Sequence, residues 1–231
     1  MMLTPNEAPA LPLWIGGRAY LTMAPVFRDI QNAAGEVLRK VPLCGADEVA
    51  TAVDNARLAL PTWSAADVET RRGCLKSVAD GLDRYAGHFA KLLDLDSAVG
   101  AEAAAQEVAD AMDALRAESV GASGVCALVV GAGRPLVRCA AALAPAVLAG
   151  ATVVVKPSPK APSAIFALCE LSARAEWPAG VLNLLQGDTA AIEGLCTAAV
   201  DRLLYAGEQP LGDQVGLIAG AAGVPFEIAG A

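Results

Sequence analysis

From Val125 onward the sequence alternates short, continuous apolar runs with longer segments at helical spacing, and this alternation constrains the fold more than any other feature. It predicts strands at 125–130, 151–155, 181–185, 201–205 and 224–228, with helices at 135–149, 162–176, 189–197 and 210–221. Strands that are apolar on both faces and separated by helices build a parallel sheet covered on both sides, an α/β fold. Right-handed crossovers then bring Gly133, Lys156, Gly187 and Gly207 to one edge of that sheet. Open α/β sheets bind ligands at that edge, outside the carboxyl ends of the strands.

The segment from Leu143 to Pro159 carries the sharpest chemistry. An apolar helix is stopped by Gly150, a strand Ala151-Thr-Val-Val-Val155 follows, and a lone Lys156 stands at its end before Pro157, Ser158 and Pro159. A lysine placed there can donate to ribose hydroxyls or a phosphate of a nucleotide lying across the strand tips. The same lysine can also simply close a strand as a solvated charge. The turn glycines carry the same two readings, close backbone approach to a ligand or ordinary turn chemistry.

Before Val125 the pattern differs. Residues 1–12 hold three prolines and little periodicity, as in a flexible lead-in. Trp14-Ile-Gly-Gly17, Val26–Ile30 and Val37–Val41 alternate around Asn32-Ala-Ala-Gly35 and read as an antiparallel meander with a tight turn. A helix opens near Asp47 and Glu48, and two more are expected at 67–95, broken at Gly81 or Gly87, and at 100–117. Residues 13–231 form one domain in this reading, with a meander and helical part (13–120) and a βαβ part (121–231).

Composition excludes several classes. A net charge of −8 disfavours nucleic acid, whose affinity rests on basic side chains neutralising phosphates. No apolar run reaches the ~20 residues that a membrane helix needs, and Met1-Met-Leu-Thr-Pro-Asn-Glu7 lacks a signal peptide's basic and apolar regions, so the expected location is cytoplasmic. Six widely spaced cysteines without a C-x-x-C pair read as buried free thiols in a reducing compartment. His88 is the only histidine and has no companion ligands, so no metal site is expected.

Several stretches, in one order along the chain, resemble the aldehyde dehydrogenase superfamily. Leu143–Pro159 is similar to "PALAAGNTVVLKPSE", Leu13-Trp-Ile-Gly-Gly17 to "FIGG", and Ala59-Leu-Pro-Thr-Trp63-Ser64 with Arg71, Arg72 and Leu75 to "AFPAWS…R…L". Gly180-Val-Leu-Asn183-Leu-Leu-Gln-Gly187-Asp188 resembles "GVLNVVTGD", Asp201–Gly207 resembles "DKIAFTGS", and Phe226–Ala231 resembles "LELGGK". The resemblance covers residues 12–231 and implies a Rossmann-like domain that binds NAD or NADP for aldehyde oxidation. By position in these motifs it assigns Lys156, Pro157, Ser158, Gly187 and Gly207 to the cofactor. It puts Glu227 at the position of the general base that activates the deacylating water.

Three departures from the family pattern bear on activity. The family's Pro-Trp-Asn-Phe-Pro turn reads Gly131-Ala132-Gly133-Arg134-Pro135, so the oxyanion-stabilising asparagine is replaced by Gly133. In the "TGS" motif Gly207 is followed by Glu208, a carboxylate where a phosphate should sit. The family's catalytic half and its cysteine follow "LELGGK", where this sequence ends. The stretch Glu118–Gly124 is also short where the family carries an oligomerisation hairpin, so the family dimer is not expected. Pro159 replaces a common acidic residue and leaves NAD versus NADP open. Two readings follow: a cofactor-binding domain that needs a catalytic half, or a non-catalytic pseudo-domain serving as a structural or interaction module. A domain without that half is expected either to meet a protein partner across the face near Phe226–Ala231 or to have that face repolarised.

Overall fold

The structure is a computed structural model, and it describes residues 8–22, 26–31, 35–119 and 121–229. Strands β1 (Leu13–Ile15), β2 (Arg18–Tyr20), β3 (Phe27–Gln31) and β4 (Val37–Pro42) come first. Helices α1 (Ala46–Ala65), α2 (Val68–Arg84), α3 (Ala86–Ser97) and α4 (Ala101–Arg116) follow. Strict alternation then begins with β5 (Val125–Val130), α5 (Pro135–Leu148), β6 (Thr152–Pro157), α6 (Ser163–Arg174) and β7 (Leu182–Leu184). It ends with α7 (Thr189–Thr197), β8 (Arg202–Ala206), α8 (Gln209–Ala221) and β9 (Phe226–Ile228).

Strands β5 to β9 pair in parallel in the order β7-β6-β5-β8-β9, so the strand order reverses between β5 and β8. Every residue of β5 and β6 is buried, which is why neither strand alternates polar with apolar side chains. One face of the sheet is covered by Leu75, Leu82, Phe89, Leu143 and Ile165 from α2, α3, α5 and α6. The other is covered by Val49, Val53, Leu195 and Val215 from α1, α7 and α8. Fully burying each such side chain stabilises the fold by roughly 1.5–3 kcal/mol. The α/β architecture with helices on both faces is thus the one the alternation implied.

The entry to β6 is built by Gly150 at φ +82°. Gly150 N–H donates to Val147 O (3.0 Å) and Ala151 N–H to Ala146 O (2.9 Å), the paired bonds that close a helix on a left-handed residue. Two helix starts are closed from a distance. Asp96 of α3 accepts from the Ser163 N–H and Oγ of α6, both at 2.8 Å. Glu107 of α4 accepts from Leu136 N–H of α5 at 2.8 Å.

Four expectations are corrected. The single meander is divided: β3 and β4 form a separate two-stranded sheet, whereas the β1–β2 hairpin joins the main sheet by pairing Trp14 with Leu184 of β7. The hairpin goes there because Leu13, Trp14 and Ile15 are all buried against the sheet's own cores. The expected turn residues 32–34 lie outside the described residues. The lead-in is held from Pro9 to Leu11 by bonds to the Lys40 backbone (Leu11 N–H to Lys40 O, 2.8 Å), while residues 1–7 lie outside the described residues. The long helix breaks at Tyr85 rather than at a glycine; Gly81 stays helical and makes room for Leu171, whose Cδ1 a Cβ there would meet at 2.6 Å. Strand β6 runs on through Lys156 to Pro157, which pairs with Val130, so Lys156 lies within the strand.

Candidate functional site

The carboxyl ends of β5, β6, β7 and β8 lie on one edge, which brings Gly131–Gly133, Lys156–Ser158, Gly187 and Gly207 together there. Lys156 is only 4 % exposed, and among the described residues its ammonium has neither a hydrogen bond nor an ion pair. Burial pushes its pKa down to about 8, against a partial opposing pull from Asp188. Asp188 itself is committed elsewhere, to an ion pair with Arg28 (3.5 Å) and to Ala190 N–H at the start of α7 (3.2 Å). Ser158 Oγ accepts from Lys160 N–H at 3.3 Å and shapes the turn after β6.

At the end of β7, Gly187 takes φ +136°, a conformation open to glycine, with Cys44 and Ala191 packed close to it. Its neighbour Gln186 is fully buried, and neither amide atom has a hydrogen-bond partner. Such a side chain costs on the order of 1–3 kcal/mol unless something satisfies it.

The switch point between β5 and β8 is arranged differently. Glu208 precedes α8 without capping its N–H groups through its side chain. Its carboxylate instead turns over the β5–α5 turn, where it pairs with Arg138. A Cβ added to Gly131 would lie 3.0 Å from Glu208 Oε2, and one added to Gly133 would collide with Oε1. The Arg138 hydrogen bond holds the Glu208 carboxyl below the usual carboxylate range. Tyr205, fully buried in β8, fixes the backbone beneath by donating its hydroxyl to Glu208 O at 2.9 Å. Gly207 has no room for a side chain because a Cβ would strike that same hydroxyl.

Glu227 lies on the edge strand β9, opposite Leu204, with its carboxylate 3.4 Å from Arg202 at the first residue of β8. That pairing draws it toward the amino end of the sheet, away from the other site residues. The sequence reading missed Arg138, Gln186 and Glu107. Glu107 had a signal: a lone carboxylate among Ala104, Val108, Ala111 and Leu115, an apolar stripe at helical spacing. Arg138 and Gln186 had none, because their significance depends on which strands become neighbours.

The sequence profile of the aldehyde dehydrogenase family matches residues 22–123 and 119–230, nearly the whole chain. The chain belongs to the aldehyde dehydrogenase family. It is 28% identical over 213 residues to the NADP(+) succinate-semialdehyde dehydrogenase of Escherichia coli, covering 81% of this chain and 44% of the relative. It is 31% identical over 205 residues to an N-succinylglutamate 5-semialdehyde dehydrogenase of a Caulobacter species, covering 79% and 42%. The solved indole-3-acetaldehyde dehydrogenase of P. syringae, in complex with NAD+ and IAA, superposes with TM-score 0.86 at 25% identity over 96% of this chain and 50% of that one. The chain thus spans about half the length of these relatives. Among the described residues no helix is long and apolar enough to cross a membrane.

Proposed function

We propose that this chain is the nucleotide-binding half of an aldehyde dehydrogenase family protein and does not oxidise aldehydes by itself. One observation carries the reading: Gly133 stands where the family places its asparagine amide, and the Glu208 carboxylate lies over it. Loss of one oxyanion donor costs about 100- to 1000-fold in rate, and a fixed negative charge beside that position adds to the loss.

The residues fit the two ends of NAD(P) unequally. Lys156, buried and unpaired, fits the ribose-binding role implied by the motif around it. Gly133 and Glu208 do not fit the diphosphate and reacting ends. A second reading, a structural or interaction module, is favoured by Glu208, Gly133 and Pro159 together. Under either reading the partner is a protein or a catalytic domain. The family dimer is not expected, since the two matched stretches meet at the short connection around residues 119–123. Five buried cysteines suit a reducing cytoplasm.

The test pairs an assay for NAD(P)H formation with aldehyde substrates and a calorimetric titration with NAD+, NADP+ and their adenosine portion. We expect no turnover. Micromolar binding of NAD+, NADP+ or their adenosine portion, abolished by Lys156→Ala, supports the nucleotide-binding reading, whereas no binding of any of the three at millimolar ligand, a limit of ~4 kcal/mol, favours the module. Turnover by the isolated chain overturns the proposal.

A further inference from the structure

We infer that Glu208 is a specificity-determining residue that keeps diphosphate-bearing ligands out of the crevice and leaves it to phosphate-free nucleosides. The inference rests on the nucleotide-binding reading above and names the ligand class of that site.

Two features of an open α/β sheet ordinarily favour an anion at the switch point: a glycine turn that lets backbone come close, and a helix start with free N–H groups and a positive dipole end. Both are present here, in Gly131–Gly133 and at the start of α8. The glycine turn faces the Glu208 carboxylate, which turns away from the N–H groups of α8 and lies over Gly131 and Gly133. The distances from Glu208 to the Cβ positions of Gly131 and Gly133 put its oxygens in the space those glycines leave open. Arg138, the basic side chain that pairs with it, already spends its charge on Glu208. An incoming diphosphate must therefore displace a paired carboxylate or lie against it, and like charges within a few ångström repel.

The other end of the edge offers the opposite chemistry. Lys156 lies in β6 and Gln186 in the loop just after the neighbouring strand β7; both are buried, and neither has a hydrogen-bond partner among the described residues. A lysine donor and a neutral amide with both a donor and an acceptor match sugar hydroxyls and a base edge. Neither requires the ligand to carry charge. A nucleoside that engages Lys156 and Gln186, which are 4% and 0% exposed, would lie away from Glu208, whereas a dinucleotide spanning the edge would reach both regions.

The experiment is isothermal titration of the intact chain with adenosine, ADP-ribose and NAD+, repeated on Glu208→Gln and Glu208→Ser. The Glu208 side chain is 52% exposed, so both variants should fold, and a melting curve checks this. We expect the unmodified chain to prefer adenosine to ADP-ribose by about 10-fold or more, the scale of one like-charge contact. Both variants should raise ADP-ribose affinity by about the same factor and leave adenosine within about 2-fold. Equal or tighter binding of ADP-ribose by the unmodified chain overturns the inference, as does absence of binding to every probe in all three proteins. NAD+ binding that depends on Lys156 but ignores Glu208 overturns it while leaving the proposed function standing.

Discussion

Arg138 of α5 holds Glu208 at the start of α8 across the glycine turn after β5, so a salt bridge closes over the point where the strand order reverses. Both side chains are partly exposed, at 32% and 52%, and such pairs contribute only about 0.2–1 kcal/mol. The consequence is therefore one of placement. A carboxylate is fixed above Gly131 and Gly133, and those two glycines become obligatory because of it.

Gly133→Ala should destabilise the chain when Glu208 is present and be nearly neutral beside Glu208→Ser. Urea denaturation of the two single variants and the double variant should give a coupling of about 0.5–3 kcal/mol, the range for residues in contact. Strict additivity would show that Glu208 does not occupy this position in solution.

Glu107 supplies acceptors to the first N–H groups of α5 from another helix. Glu107→Ala leaves those donors without a partner in a buried place and should cost about 1–3 kcal/mol, whereas Glu107→Gln keeps an acceptor and should cost less. Burial raises the Glu107 pKa above 4.5 despite the backbone hydrogen bonds. A raised acid is stabilising in its protonated form, and that contribution is lost as pH rises through the folded value. The wild type should thus lose stability relative to Glu107→Gln as pH climbs from about 4. A difference that is flat with pH would contradict this.

Lys156 titrates in the opposite sense. Its folded pKa of about 8 lies below the ordinary 10.5, so between those values the unfolded chain binds more protons and stability rises with pH. Below about 8 the full cost of the buried charge is present, so Lys156→Met should stabilise the apo chain at pH 7 by on the order of 1–3 kcal/mol. That gain should shrink toward pH 10.5. Thermal melts of both proteins across this window provide the check, and a gain independent of pH would remove the charge from the explanation.

Thiol labelling should be ordered by burial. Cys74 is the one cysteine that is not fully buried, while burial pushes Cys44 and Cys139 up to about 12 and Cys126 up to about 11. Since the thiolate is the reactive form, a disulfide reagent should modify Cys74 first and the other five only at the rate of unfolding. Rapid labelling of Cys139 or Cys169 in native protein would show that α5 and α6 do not pack as described.

Much of the fold was legible because the relevant physics is local. Periodicity alone located all nine elements from β5 to β9, two of them, β5 and α7, with the same boundaries, because strands buried on both faces must be continuously apolar and helices between them must not. Gly150 likewise marked its own helix end. The β1–β2 hairpin was not legible as part of the main sheet, because its three apolar residues state that it is buried and not which strand it will meet. Gly81 was misread for a related reason: a glycine that admits Leu171 from α6 looks the same in sequence as one that ends a helix.

The same division holds at the site. The sequence by itself determined that Lys156, Gly187 and Gly207 share one edge, since parallel strands joined by right-handed crossovers end on the same side. It also determined that Gly133 brings no side chain to that edge. Only the tertiary structure decided that Glu208 turns away from its own helix to Arg138, that Gln186 is buried without a partner, and that Glu227 is held by Arg202. Each of those outcomes depends on which of two distant segments is nearer in space. Side-chain charge and hydrogen-bonding capacity are written in the chain, but their partners are chosen by packing.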